Sequence, residues 1–370
     1  MNTGSSWFPS RRDLLAGTAA TVGLSAAGPL ARAADPWLPV SASKLPRWRG
    51  FNLLEKFTLQ GNRRYDAWDF DFVAAHGFNF VRFPMDYRIW TTEAGDLREE
   101  ALTEIDDGVA MAHARGIHVA LCLHRAPGYC INPPNEPLDL WGDGPDSDHA
   151  RQLFAAQWRM FAKRYKGIPS SKLSFNLVNE PPTVTGAQYV RVATAAVEAI
   201  RQEDPDRLVF ADGRGGGHDP TPELAPLKIA QGARGYQPFQ LSHYRAGWVA
   251  GSDAWPEPTW PLTLKSQGDE GPIDQAYLWK HEIEPWRKLE ALGIGVMVGE
   301  WGAYRYTPHE VVLAWMRDCL QNWKKAGWGW ALWNLRGDFG PLNSGRTDVA
   351  YVDYKGAKLD QAMLDLLQQY

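Results

Sequence analysis

From Trp48 onward the chain switches repeatedly between two hydrophobic periods, and this alternation constrains its fold more than any other feature. The short apolar runs WRGFNLL, FNFVRFP, IHVALCLH, KLSFNLVNE and RLVFADG read as strands. FQLSHY is the candidate sixth strand, and IGVMVGEWG and WGWALWNL are the seventh and eighth. Between them lie amphipathic stretches such as DAWDFDFVAAHG and LTEIDDGVAMAHARG, which end on Gly77 and Gly116 where a helix would close. The strand runs are almost continuously apolar, as parallel strands covered on both faces must be. Eight strands, most followed by a helix, predict a single-domain α/β chain, a (β/α)₈ TIM barrel with long top-face loops. A doubly wound sheet is the alternative, but no glycine-rich phosphate loop follows the first strand. The fifth unit is the weak one, because residues 212–235 are rich in Gly and Pro and show no helix pattern.

Each apolar run finishes on polar or aromatic groups. The endings are Asn52 and Glu55, Arg82, His124, Asn179-Glu180, His243-Tyr244, Glu300-Trp301 and Trp333-Asn334. In such a barrel the C-terminal strand ends share one rim, and that rim carries the chemistry. FNLVNEPP is the clearest case. An apolar run ends at Asn179 and Glu180, and Pro181 and Pro182 then stop the strand. Pro181 is expected to hold Glu180 extended.

Glu180 and Glu300 close the fourth and seventh strands, so they can face each other across the mouth. Two facing carboxylates are the arrangement that cleaves glycosidic bonds, one protonated and one ionised. A separation of ~5 Å fits a retaining reaction, and roughly 6.5–9.5 Å an inverting one. Arg82 reads either as a partner of Glu300 or as a buried partner of Glu55. The 18 Trp and 13 Tyr exceed what a core requires. Some serve the core. Others suit a cleft floored by flat rings that meet the apolar face of a sugar. Trp141, Trp248, Trp255 and Trp260 lie in presumed top-face loops, divided between loop packing and sugar stacking.

The net charge of −4 gives no nucleic-acid signature. Cys122, Cys130 and Cys319 have no metal-ligand spacing and suggest no disulfide framework. His218 with Asp212 and Asp219 sits in a glycine-rich stretch, read as a loop and not as a metal site. No metal or organic cofactor is expected. Residues 1–33 carry paired Arg11 and Arg12, an Ala/Gly-rich apolar stretch and an Ala31-Arg32-Ala33 cleavage pattern. They are similar to a twin-arginine signal peptide. The expectation is export of the folded chain to the periplasm or medium, with residues 34–370 as the barrel. No membrane span is expected in the mature form, which is read as a monomer.

The Asn-Glu-Pro of VNEPP, the Gly-Glu of VGEWG, the Arg of FNFVRFP and the His of LCLHRAPG occur in order at strand ends. Together they resemble glycoside hydrolase family 5, the cellulase family of retaining β-glycosidases, from Trp48 to about Leu335. The resemblance implies that Glu180 is the acid/base and Glu300 the nucleophile. It implies Asn179 on the sugar 2-hydroxyl, Arg82 beside Glu300, His124 and Trp333 around the scissile sugar, and His243 near Glu180. Trp301 is placed at the site through its neighbour Glu300. The substrate is then a β-linked oligo- or polysaccharide. One departure is visible. The family carries His, any residue, then Tyr at the sixth strand, with the Tyr bonded to the nucleophile. Here His243-Tyr244-Arg245 breaks that spacing, so either Tyr244 or another group supports Glu300. The opening RGFNLLEKF is similar to the start of exo-acting and 1,3- or 1,6-linked glucanases of the family, which tilts the expectation toward β-glucan over β-mannan.

Overall fold

The computed structural model describes residue 37 and residues 39–264 and 271–370. The proposed leader lies outside them. Eight parallel strands close into a barrel: β1 (Arg49–Asn52), β2 (Phe80–Asp86), β3 (His118–Ala126), β4 (Leu173–Asn176), β5 (Val209–Asp212), β6 (Ala230–Gly235), β7 (Val296–Trp301) and β8 (Trp330–Leu332). Each pairs with the next, and β8 pairs back with β1. Helices α1 (Ala67–Ala75), α2 (Glu99–His113), α3 (Pro145–Arg164) and α4 (Gly186–Glu203) cover the first half. The start of α4 is set by a capping box between Thr185 and Gln188. Among the described residues no helix is long and apolar enough to cross a membrane.

The barrel interior is layered. Trp48, Phe80, Ala120, Phe210, Ala230, Met297 and Ala331 plug its lower end. Above them the inward side chains turn polar: Arg82, Asn176, Asp212 and Arg234 are all buried. Charges at that depth require partners, and the site supplies them.

The sixth unit differs from the sequence reading. FQLSHY is not a strand; Phe239–Ser242 forms one helical turn. The sixth strand is AQGARG, inside the stretch that showed no pattern. Its small residues carry little hydrophobic signal, and, as the missing helix pattern suggested, only a short turn at Arg214–Gly217 and a 3₁₀ segment at Pro222–Leu227 stand between β5 and β6. A register shift follows: Ala233 pairs with Val298, but Arg234 pairs with Glu300. Gly299 is thus the extra residue of a bulge, a device that re-aims side chains at a barrel rim.

Candidate active site

A cavity of about 880 Å³ opens at the C-terminal ends of the strands. Its lining includes Phe57, His124, Glu180, Tyr236, His243, Trp248, Glu300, Trp333 and Phe339. Glu300 reaches it from β7 and is 3% exposed. Its Oε1 accepts from Arg82 Nη1 and, at 3.3 Å, from Arg234 Nη2. Its Oε2 accepts from the Tyr236 hydroxyl at 3.2 Å.

Arg82 does not reach Glu55, whose partner is Arg63 at 2.8 Å. Besides Glu300 it donates to Asn176 Oδ1, Asn52 Oδ1, Asn179 Oδ1 and Cys122 Sγ at 2.8–3.0 Å. Arg82 thus ties β1, β3, β4 and β7 together beneath the cavity. Burial pushes the Cys122 thiol up, so it stays an uncharged neighbour. Cys122, Cys130 and Cys319 are all unbonded thiols.

Glu180 stands on the turn after β4 and keeps 17% of its side chain exposed. Its backbone is not extended, as the following proline suggested. Its φ is +47°, in the left-handed region, which costs a non-glycine residue about 1–2 kcal/mol. Neighbouring bonds hold that geometry. Asp212 Oδ2 accepts from the Glu180 N–H at 3.1 Å. The Tyr129 hydroxyl donates to the Glu180 carbonyl at 2.5 Å. Gly216 N–H donates to the Pro181 carbonyl at 2.9 Å. Burial first, and the charge of Glu300 second, push the Glu180 carboxyl up to about 7. The positive charge of Arg234, bonded to Glu180 Oε1 at 2.9 Å, opposes both.

Asn179 Oδ1 accepts from both Arg82 and Arg234 at 2.8 Å. This fixes its amide the other way round, and Nδ2 is buried with no partner among the described residues. A buried donor without an acceptor is costly, so this one is suited to a ligand oxygen. His124 packs edge-on against Phe57 at 4.4 Å and lies 6.0 Å from the Trp333 ring. Its burial, helped by Arg82 and Arg234, pushes its proton affinity well below the ordinary histidine range. His243 is held by Ser242 Oγ at 2.9 Å and stacks on Phe239 at 3.9 Å. Burial pushes it down to about 3, so it is a neutral ring at the cavity wall.

Two expected residues point elsewhere. Trp301 follows Glu300 on β7, and adjacent strand residues face opposite sides. Glu300 turns inward, so Trp301 turns outward, fully buried against Trp323 at 4.7 Å and Trp330 at 5.5 Å. Tyr244 does not line the cavity; it is buried beneath the Arg245 guanidinium, 5.1 Å away. The tyrosine bonded to Glu300 is Tyr236. Two positions before it stands Arg234, so the end of the sixth strand and the residue after it read Arg, any residue, then Tyr, where the resemblance implied His, any residue, then Tyr. The sequence reading missed Arg234, Tyr236 and the role of Asp212. The spacing Arg234-Gly235-Tyr236 was the available signal, hidden in a stretch that resembled a loop. Of the loop tryptophans, Trp248 lines the cavity at 57% exposure and meets Tyr304 edge-on at 4.7 Å. Trp141 is buried against Tyr129 and Tyr189, and Trp260 donates to Asp318 at 2.8 Å.

Comparisons with known proteins point to one family. The sequence profile of Cellulase (glycosyl hydrolase family 5) matches residues 41–338. Endoglucanase C of Acetivibrio thermocellus is 24% identical over 336 residues, covering 81% of this chain and 95% of that protein. A solved structure described as a glycoside hydrolase superposes with a TM-score of 0.81 at 40% identity, covering 87% of this chain and 99% of the other. Thermotoga maritima Cel5A shares the fold at 22% identity and a TM-score of 0.69, in complexes with cellobiose and with mannotriose; the cellobiose complex covers 87% of this chain and 96% of its own. With the two strand-end glutamates in one cavity and the profile spanning most of the barrel, the chain belongs to glycosyl hydrolase family 5, the cellulase family.

Proposed function

We propose that the chain hydrolyses β-glucan by a retaining double displacement. The observation that carries this reading is the contrast between two carboxylates in one cavity. Glu300 meets two guanidiniums and a hydroxyl, while Glu180 is pushed up to about 7 by burial and by Glu300. Opposed environments divide the labour between acid and nucleophile. A Glu300 oxygen bonds to the anomeric carbon as the glycosidic C–O bond breaks. The departing oxygen keeps the electron pair and takes the Glu180 proton. Glu180 then removes a proton from water, whose oxygen bonds to the anomeric carbon as the ester bond to Glu300 breaks and its electron pair returns to the Glu300 carboxylate, which releases the sugar with its β configuration kept. Asn179 Nδ2 is the donor to the sugar 2-hydroxyl, a contact that strengthens in the transition state. His124, His243, Trp248 and Trp333 bind the sugar rings.

The name of endoglucanase C and the cellobiose complex of Cel5A support β-1,4-glucan as the first substrate. The mannotriose complex of Cel5A supports mannan as a second reading. Residues 1–33 are proposed as a twin-arginine leader and the exported protein as a monomer. Anomer-resolved NMR of early products should show β-sugar first; α-sugar first would mean inversion. Glu300→Ala should abolish turnover in a folded protein. A panel of β-1,3-, β-1,4- and β-1,6-glucans and mannan, read by viscosity against reducing ends, assigns the linkage and separates endo from exo action.

A further inference from the structure

We infer that Arg234 is a positioning residue that dictates which oxygen of Glu180 carries the transferable proton, and that the glycine-rich turn 213–217 forms its seat. This rests on the acid/base reading of Glu180 given above. A guanidinium has donors only and does not lose its proton in a protein. Arg234 Nε donates to Glu180 Oε1 at 2.9 Å, and the carbonyl oxygen of a carboxylic acid accepts a charged donor better than its hydroxyl oxygen does, so Oε1 is favoured as the unprotonated oxygen. When Glu180 is protonated its hydrogen therefore favours Oε2, the oxygen not bonded to Arg234, on a side chain that lines the cavity. The proton is presented to one side of the carboxyl before substrate arrives.

Arg234 is itself immobilised. Its side chain is fully buried, and Nη2 donates to Asn179 Oδ1 at 2.8 Å, to Glu300 Oε1 at 3.3 Å and to Asp212 Oδ2. Asp212 Oδ2 also accepts the Glu180 N–H. The Arg234–Asp212 pair thus clamps Glu180 at both ends, at its carboxyl and at its backbone. A positive charge next to a general acid favours the ionised form. Asp212 and Glu300, both bonded to the same guanidinium, offset that effect.

The seat explains the glycines. A Cβ on Gly217 would lie 2.4 Å from Arg234 Cγ, and Gly217 has φ +88°. Gly215 and Gly216, also at positive φ, direct their N–H groups to the carbonyls of Pro182 and Pro181, at 3.3 and 2.9 Å. The turn that leaves room for Arg234 therefore also pins the backbone just after Glu180.

The test uses Arg234→Gln combined with Asp212→Asn, which removes the buried charge pair together, and Gly217→Ala, which keeps both charges. The probes are two aryl β-glucosides, or cellobiosides if the chain prefers them. One has a 2,4-dinitrophenyl leaving group that needs no proton, the other a phenyl group that does. The measured quantity is kcat/KM, which reports the first bond cleavage. Each variant should lose at least ~10-fold more on the phenyl substrate than on the dinitrophenyl one, within the range of general acid catalysis. Equal losses on both would mean that Arg234 only supports the fold, and the inference falls. Wild-type kinetics in Gly217→Ala would overturn the seat. Should the double variant fail to fold, Gly217→Ala and Arg234→Lys decide by the same comparison. Glu180→Gln is the control. If it shows no dependence on leaving group, the acid/base reading fails first; if it does and the Arg234 variants do not, only the present inference fails.

Discussion

The Tyr236 hydroxyl donates to Glu300 Oε2, while the guanidiniums of Arg82 and Arg234 occupy Oε1. The carboxylate proposed as nucleophile is thereby oriented by three donors, two from strands and one from the residue that follows β6. Burial, reinforced by the charge of Glu300, pushes the Tyr236 hydroxyl well above its ordinary range, so it stays a donor. Tyr236→Phe removes one hydrogen bond to a charged group, about 1.5–3 kcal/mol. The expected result is roughly a 10- to 100-fold fall in kcat/KM in a protein of near-normal melting temperature. Tyr244→Phe should leave kcat/KM unchanged. The reverse pattern would restore Tyr244 as the partner.

The raised Glu180 predicts both a rate profile and a stability profile. As the proposed general acid it must be protonated to act, so kcat/KM should fall as pH rises through about 7. For stability, the folded state holds the Glu180 proton more tightly than the unfolded chain, whose glutamates titrate near about 4.3. The wild type should therefore lose stability relative to Glu180→Gln as pH rises from about 4.5 to about 7. Melting curves at pH 4, 6 and 8 should show the gap widening in favour of the variant. Parallel curves would mean that Glu180 is not raised.

What could be read from the chain was what hydrophobic periodicity records. Seven strands and the glutamates at their ends follow from runs such as LSFNLVNE and GVMVGE, because large apolar residues make those strands visible. The sixth strand was invisible because Ala230, Gly232, Ala233 and Gly235 are small, and FQLSHY offered a better imitation. The cost was local but chemical: Arg234 and Tyr236 were lost with the strand. Side-chain direction was the second gap. Trp301 adjoins Glu300 in sequence and so looked like part of the site, yet the pleat sends it to the helix side. The left-handed φ of Glu180 depends on contacts from Asp212, Tyr129 and Gly216, none of them local in sequence.

Arg82 should be indispensable to the fold as well as to the rate. Its three guanidinium nitrogens serve five side chains, all with buried partner atoms. Arg82→Met leaves Glu300 with one guanidinium fewer and strips acceptors on Asn52 and Asn176 of a donor. Removing one partner from a buried ion pair costs roughly 3–5 kcal/mol. Denaturant titration should show that loss. Retention of full stability would imply that water replaces the guanidinium without penalty.

Trp248 and Trp301 offer a contrast between binding and packing. Trp248 is 57% exposed on the cavity wall, braced by Tyr304, so its truncation opens no internal void. Trp248→Ala should raise KM for oligosaccharides several-fold, since an exposed ring gives up sugar contact in the ground state and transition state alike. Its melting temperature should barely move. Trp301 is enclosed by Trp315, Trp323 and Trp330. Trp301→Ala should cost about 3–5 kcal/mol of stability, while the folded fraction keeps its KM. Measuring both variants for KM and for unfolding free energy separates the two roles. An unchanged KM for Trp248→Ala would remove that ring from the sugar-binding wall, and a raised KM for Trp301→Ala would return the residue to it.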